Sequence, residues 1–311
     1  MLDALASGRT PSQIASDHGV AISTIRTQVR QILAMERDLD RKTYLADLAF
    51  ILDDKRVRSH VRDLVLRWLS TLPDPSAEEW RLVEASGRGD SNLPRHVSRV
   101  IYGGPSWVRL LAQLGILDAW FASDDDEDLY WALRAVEITA NGANAQTAEI
   151  LNRFLELRPE KAAVLLRCFA WFQPERPLAA VADVLIKALS LCSKEEFEAI
   201  DQGPFTIADG WVKNAAEDAA RIYAATFATW YRLNPEGTPF RDDHSSLNRE
   251  FHHLNELFEA NPFAALSAIL PAMRIAMERT ELEKDHPKED GIWAWRWMDR
   301  GEGPHLVEFI D

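Results

Sequence analysis

Apolar residues recur at three-and-four spacing along nearly the whole chain, the pattern of helices that bury one face. Thr43–Leu52 (TYLADLAFIL) and Arg56–Leu72 (RVRSHVRDLVLRWLSTL) carry it clearly. Leu72-Pro73-Asp74-Pro75 interrupts it, and Ser76 is placed to cap a helix over Ala77–Glu84. Further helices are predicted at 94–103, 106–122, 127–140, 144–156, 160–172, 177–191 and 193–200, joined by connectors with Pro, Gly or acidic residues. A longer helical stretch is expected from Asp209 to Leu233, followed by Phe240–Phe258 and Pro262–Thr280. No segment alternates as a strand does. Helices recur about every 15–20 residues, so a pair fills about 35–40, the period of a HEAT-like helical array. The expected fold class is therefore all-α.

The first 34 residues carry a different signal. Thr10 can cap a helix, Pro11 suits its first position, and Gln13 can complete a capping box. Gly19 supplies a left-handed residue that ends this helix, and Val20 fills the angle of the turn. A second helix follows, with Ile25, Val29 and Ile32-Leu33 at core spacing and Arg26, Thr27 and Arg30 on the opposite face. This is the spacing of a helix-turn-helix, which places its second helix in the major groove of DNA.

Leu5-Ala6-x-Gly8, Gln13-Ile14-Ala15, Gly19-Val20 and Thr24-Ile25-Arg26-x-Gln28-Val29-x-x-Ile32-Leu33 resemble the DNA-binding domain of the LuxR/FixJ family of bacterial transcription regulators. The resemblance implies a recognition helix over about Ile22 to Leu33 and DNA contact through Arg26, Thr27 and Arg30. The unit, residues 1–35, is truncated relative to the family. Met1 falls where the family's first helix is already under way, and Ala21 replaces the usual serine cap, a loss typically costing about 0.5–2 kcal/mol.

Charge works against tight DNA binding by the whole chain. It holds 49 acidic and 35 basic residues, a net charge of −14. Residues 1–34 contribute Arg9, Arg26 and Arg30 against Asp3 and Asp17, so the deficit lies entirely in the remainder. Phosphate neutralisation drives nucleic-acid affinity, and an acidic body opposes it. At 47% apolar, the composition is that of a chain able to bury a core. No run of 18 apolar residues and no signal-peptide pattern occurs, so the expected setting is the cytoplasm with no membrane partner. Cys168 and Cys192 both lie in apolar helical stretches and read as buried thiols.

Residues 36–311 read as a helical-repeat scaffold. The stretches RVRSHVRDLVLRWLSTLPDPSAEEW, GPSWVRLLAQLGILDAWF, ANPFAALSAILPAMRIAMERT and GIWAWRW resemble the helical-repeat region of bacterial STAND-type NTPases, several of which act against phage. That likeness implies a sensing or scaffolding role. A Gly-x-x-x-x-Gly-Lys-Ser/Thr loop is missing, so the sequence supports no nucleotide hydrolysis. The join at Met35 has no linker and reads as a mosaic, such as a fusion or a fragment.

Other constellations favour plain readings. Asp124-Asp125-Asp126-Glu127-Asp128 has oxygen ligands for a cation but no spaced calcium-loop pattern, so it reads as an acidic helix cap. Asp242-Asp243-His244 and His252-His253 lack His-Glu-x-x-His spacing, and no Gly-x-Ser-x-Gly elbow is found. No catalytic residue, cofactor or metal ligand is assigned, and the protein is expected not to be an enzyme.

The 11 tryptophans are a further clue. Trp68, Trp80, Trp107, Trp120, Trp131, Trp171, Trp211 and Trp230 are expected within helices as packing between them. Trp293, Trp295 and Trp297 crowd three indoles into five residues, more than one helix face can hide. They are the expected partner-binding patch, or else a cap on the last repeat. Two functions follow: a DNA-binding regulator whose array holds a protein partner, or a defence-type sensor or scaffold whose N-terminus does not read DNA.

Overall fold

The computed structural model describes residues 41–53, 59–87, 104–200, 204–235 and 252–282, together with Gln13, Ser16, Asp17, Pro94 and Val97. Among these residues every regular element is helical, in agreement with the all-α expectation. The chain forms two compact units, Met1–Thr139 and Ala140–Asp311. The boundary expected near residue 35 lies outside the described residues.

The first unit contains α1 (Arg41–Asp53), α2 (Ser59–Ser70), α3 (Ala77–Ser86), α4 (Pro105–Gln113), α5 (Ile116–Phe121) and α6 (Asp126–Glu137). Ser76 caps α3 as the sequence indicates, and Glu79 closes a capping box back onto the Ser76 N–H at 2.9 Å. Trp107 is fully buried, and its indole N–H donates to the Leu69 carbonyl at 3.0 Å, pinning α4 to the end of α2. The single helix expected over 106–122 is two, because Gly115 adopts φ +71 between α4 and α5. A lone glycine leaves the apolar period intact, so periodicity alone does not register this break. The acidic run behaves as a cap: Asp125 Oδ1 accepts the Glu127 N–H at 2.8 Å at the start of α6.

The second unit is built on a row of helices. α7 (Asn144–Leu157) packs on α9 (Ala179–Leu191), α9 on α12 (Ala216–Leu233), and α12 on α14 (Pro262–Leu282). α8 (Ala162–Phe169), α11 (Thr206–Asp209) and α13 (His252–Ala260) pair with α9, α12 and α14 respectively. The short α10 (Lys194–Glu198) follows α9 and is capped by Ser193 and Glu196. The stretch expected as one helix from Asp209 to Leu233 is interrupted, since α11 ends at Asp209 and α12 begins at Ala216.

The row repeats in backbone detail. The residues preceding α7, α9 and α12 are Ala143 (φ −143, ψ 46), Leu178 (φ −130, ψ 57) and Ala215 (φ −148, ψ 54). These closely similar conformations fall 35 and 37 residues apart (143 to 178, 178 to 215). Long-range hydrogen bonds join neighbouring elements of the row. Thr229 donates to the Leu189 carbonyl and Arg232 to the Cys192 carbonyl, each across 40 residues, and Tyr231 donates to the Ala272 carbonyl across 41. Cys168 and Cys192 are buried free thiols, as expected, and burial pushes the Cys192 thiol up to about 12.

Candidate functional site

The connector between α8 and α9, residues 170–178, is held by hydrogen bonds from both sides. Phe169 and Phe172 bury their rings edge to face at 5.3 Å, and Phe172 continues onto Trp211 at 5.7 Å. The chain turns sharply between these two buried phenylalanines. The Phe172 N–H donates to the Phe169 carbonyl at 3.0 Å, and the Trp171 N–H donates to Thr206 O at 3.2 Å. Trp171 is driven to φ +64, the one non-glycine residue with positive φ among the described residues. That region is costly for a bulky side chain and persists only where surrounding contacts impose it.

Gly210 makes the arrangement possible. A Cβ at this position would lie 2.2 Å from the Phe172 carbonyl oxygen, so no other residue fits beside the turn without a shift. The connector is also held from both neighbouring connectors. Asn141 Oδ1 accepts the Glu175 N–H at 2.8 Å, and Arg176 Nη2 donates to the Asn141 carbonyl at 3.0 Å. From the other side Asn214 Nδ2 donates to the Pro174 carbonyl at 2.9 Å, and Asp218 Oδ2 accepts the Leu178 N–H at 2.9 Å. Asp218 is itself buried and paired with Arg221 at 3.4 Å, and Arg221 also binds Asp183 of α9.

The result is a rigid polar edge with an indole standing on it. Trp171 is 42% exposed, whereas Trp107 and Trp211 are fully buried. Gln173, Glu175, Arg176, Pro177, Lys213 and Asn214 are exposed along the same connectors. An amphipathic ring on a pre-ordered backbone loses little entropy on contact, which suits protein recognition. The arrangement contains no nucleophile–base pair, and no group of three metal-ligating side chains is found among the described residues.

Sequence reasoning expected Trp171 to pack between helices, and the structure corrects this: the residue lies in a turn with its ring exposed. The apolar run LLRCFAWF offers three aromatic rings, and only the contact of Phe172 with Trp211 decides which two are buried. Pro174 and Pro177 were the available signal that the helix stops short of residue 172. Trp211 is buried as expected but sits in the turn after α11, not in a helix. Trp80 is buried and meets Trp120 edge-on at 6.0 Å, while Trp68, Trp120, Trp131 and Trp230 are half-buried in helices. Arg26, Thr27 and Arg30, and likewise Trp293, Trp295 and Trp297, lie outside the described residues. Among the described residues no helix is long and apolar enough to cross a membrane.

No family model, no curated protein and no solved structure matches this chain.

Proposed function

We propose that this protein is a cytoplasmic, non-catalytic interaction scaffold, in which a HEAT-like array holds a protein partner at the connector edge that carries Trp171. The reading rests on one observation above others: an exposed indole is fixed at positive φ by a turn whose flanking rings are buried. Strain maintained where a large aromatic stays 42% exposed marks a surface suited to contact. In this reading residues 1–35 add a DNA contact through Arg26, Thr27 and Arg30, which makes the protein a DNA-linked regulator.

A photo-crosslinking amino acid placed at position 171 of the full chain tests the scaffold reading. It should give a discrete adduct in lysate of the source cell, and the same group at exposed Leu114 should not. Equal, diffuse labelling at both positions would contradict the proposal. The DNA contact has its own test. Selection at low salt should enrich a sequence with the wild-type chain and lose it when Arg26 and Arg30 are both changed to Ala. No enrichment by the wild type ends that part of the reading.

The charge of −14 favours a second reading, in which the N-terminal helices do not read DNA and the array serves as sensor or scaffold of a STAND-type defence protein. The crosslinking result is common to both readings, and the DNA selection separates them.

A further inference from the structure

Every described helix of the row in the second unit exposes one narrow stripe. On α7 it is Glu149, Arg153, Glu156 and Leu157, and on α9 it is Asp183, Lys187, Ser190 and Leu191. On α14 the stripe is Phe263, Ser267, Leu270 and Arg274, with Phe263 81% and Leu270 42% exposed. The opposite face of α14, with Ala265, Ala268, Ile269 and Ala272, is buried, and Tyr231 of α12 donates to Ala272 O at 2.8 Å. α14 therefore carries two large apolar side chains on its stripe, seven residues apart, where α7 and α9 each expose one leucine at their last residue. Burying Phe263 and Leu270 fully would stabilise whatever covers them.

The chain itself supplies a complementary segment at the right distance. Beyond Leu282, Lys284, Asp285, His286, Lys288, Glu289 and Asp290 make a polar stretch, and Ile292, Trp293, Trp295 and Trp297 follow it. Leu270 and Phe263 lie back along α14 from Leu282 by about 18 Å and about 29 Å at the helical rise. Residues 283–292, taken as a tether, span up to about 33 Å. We propose that the occupant of the α14 stripe is this chain's own Ile292–Trp297 segment, which caps the row in cis. Of the two roles the sequence leaves open for these tryptophans, a partner patch or a cap, this assigns the cap and gives it a docking surface, and it is independent of the role of Trp171.

Two double substitutions test the capping in the full-length chain. Phe263→Asp with Leu270→Asp changes exposed positions only. It should make tryptic cleavage after Arg296 and Arg300 faster by on the order of tenfold, the factor equivalent to about 1.4 kcal/mol. Trp293→Ser with Trp297→Ser should raise the fluorescence of 8-anilinonaphthalene sulfonate, because removing the cap uncovers Phe263 and Leu270. If these indoles are instead displayed to solvent, the same change lowers the dye signal, and that result overturns the proposal. Cleavage unchanged in the aspartate variant also overturns it. A fall in sedimentation mass of that variant, with cleavage unchanged, would give the stripe to a second copy of the chain. The serine variant keeps the test decisive if the aspartate variant fails to fold.

Discussion

The carboxylate of Asp218 accepts the backbone N–H of Leu178 at 2.9 Å, across 40 residues of chain. Leu178 precedes α9 and has no side chain to satisfy the orphan donors of that helix. The donors are taken by the neighbouring helices: Asp218 holds the Leu178 N–H, and Asn144 Oδ1 accepts the Val181 N–H at 3.3 Å. Capping that a single helix performs with its own residue is here shared along the row. Asp218→Ala leaves a buried N–H unpaired and also removes one of the two carboxylate partners of Arg221. It should lower unfolding free energy by about 2–3 kcal/mol in urea titration, and Asp218→Asn, which retains an acceptor, should cost less. Equal stability of all three chains would show that the row is not held by these bonds.

Gly210→Ala is predicted to be among the most damaging small substitutions in the molecule. The new Cβ would meet backbone, the Phe172 carbonyl, at 2.2 Å, and backbone clamped by Phe169, Trp211 and the Asn214 bond cannot yield cheaply. A loss of about 3 kcal/mol, at or above the usual range for overpacking, is expected. Gly115→Ala provides the comparison. Nothing lies within 4 Å of a Cβ there, so its cost comes from φ +71 alone and should stay near 1 kcal/mol. Thermal melts of the two variants should differ clearly in midpoint.

Stability should fall between about pH 4.5 and pH 7. Glu137, the last residue of α6, is buried, and burial pushes its carboxyl from 4.5 to about 7, with Arg134 at 2.6 Å drawing it back only in part. The folded state therefore keeps a proton that the unfolded chain has released. In this window the unfolded state binds fewer protons, so unfolding becomes easier as pH rises and levels off above pH 7. The full effect is on the order of 3 kcal/mol. Glu137→Gln should remove this slope and stabilise the protein at pH 8. A urea midpoint that is flat across this range in the wild type contradicts the assignment.

Much of the helical frame is legible in the sequence. Ser76 and the helix it begins, the capping of α6 by the acidic run and the burial of both cysteines all follow from local patterns. What the sequence does not disclose depends on contacts between distant residues. The break at Gly115 leaves the apolar spacing undisturbed, and the gap before α12 lies in the run WVKNAA, which also reads as helical. Trp171 and Trp211 are equivalent in composition and opposite in environment, because Phe172 takes the buried place beside Trp211. The candidate site is invisible for the same reason: Asn141, Asn214 and Asp218 look like ordinary loop and helix polar residues until the row brings their connectors together.

The measurement that bears most directly on the account is the stability of Trp171→Gly beside that of Trp211→Ala, each unfolded in urea and checked by circular dichroism. If Trp171 is held out for contact, glycine relieves the backbone at φ +64 while forfeiting only the partial packing of the ring. The variant should then unfold within about 1 kcal/mol of the wild type, whereas loss of the fully buried Trp211 should cost about 3–5 kcal/mol. A loss for Trp171→Gly as large as that for Trp211→Ala would make the residue part of the core and contradict the claim.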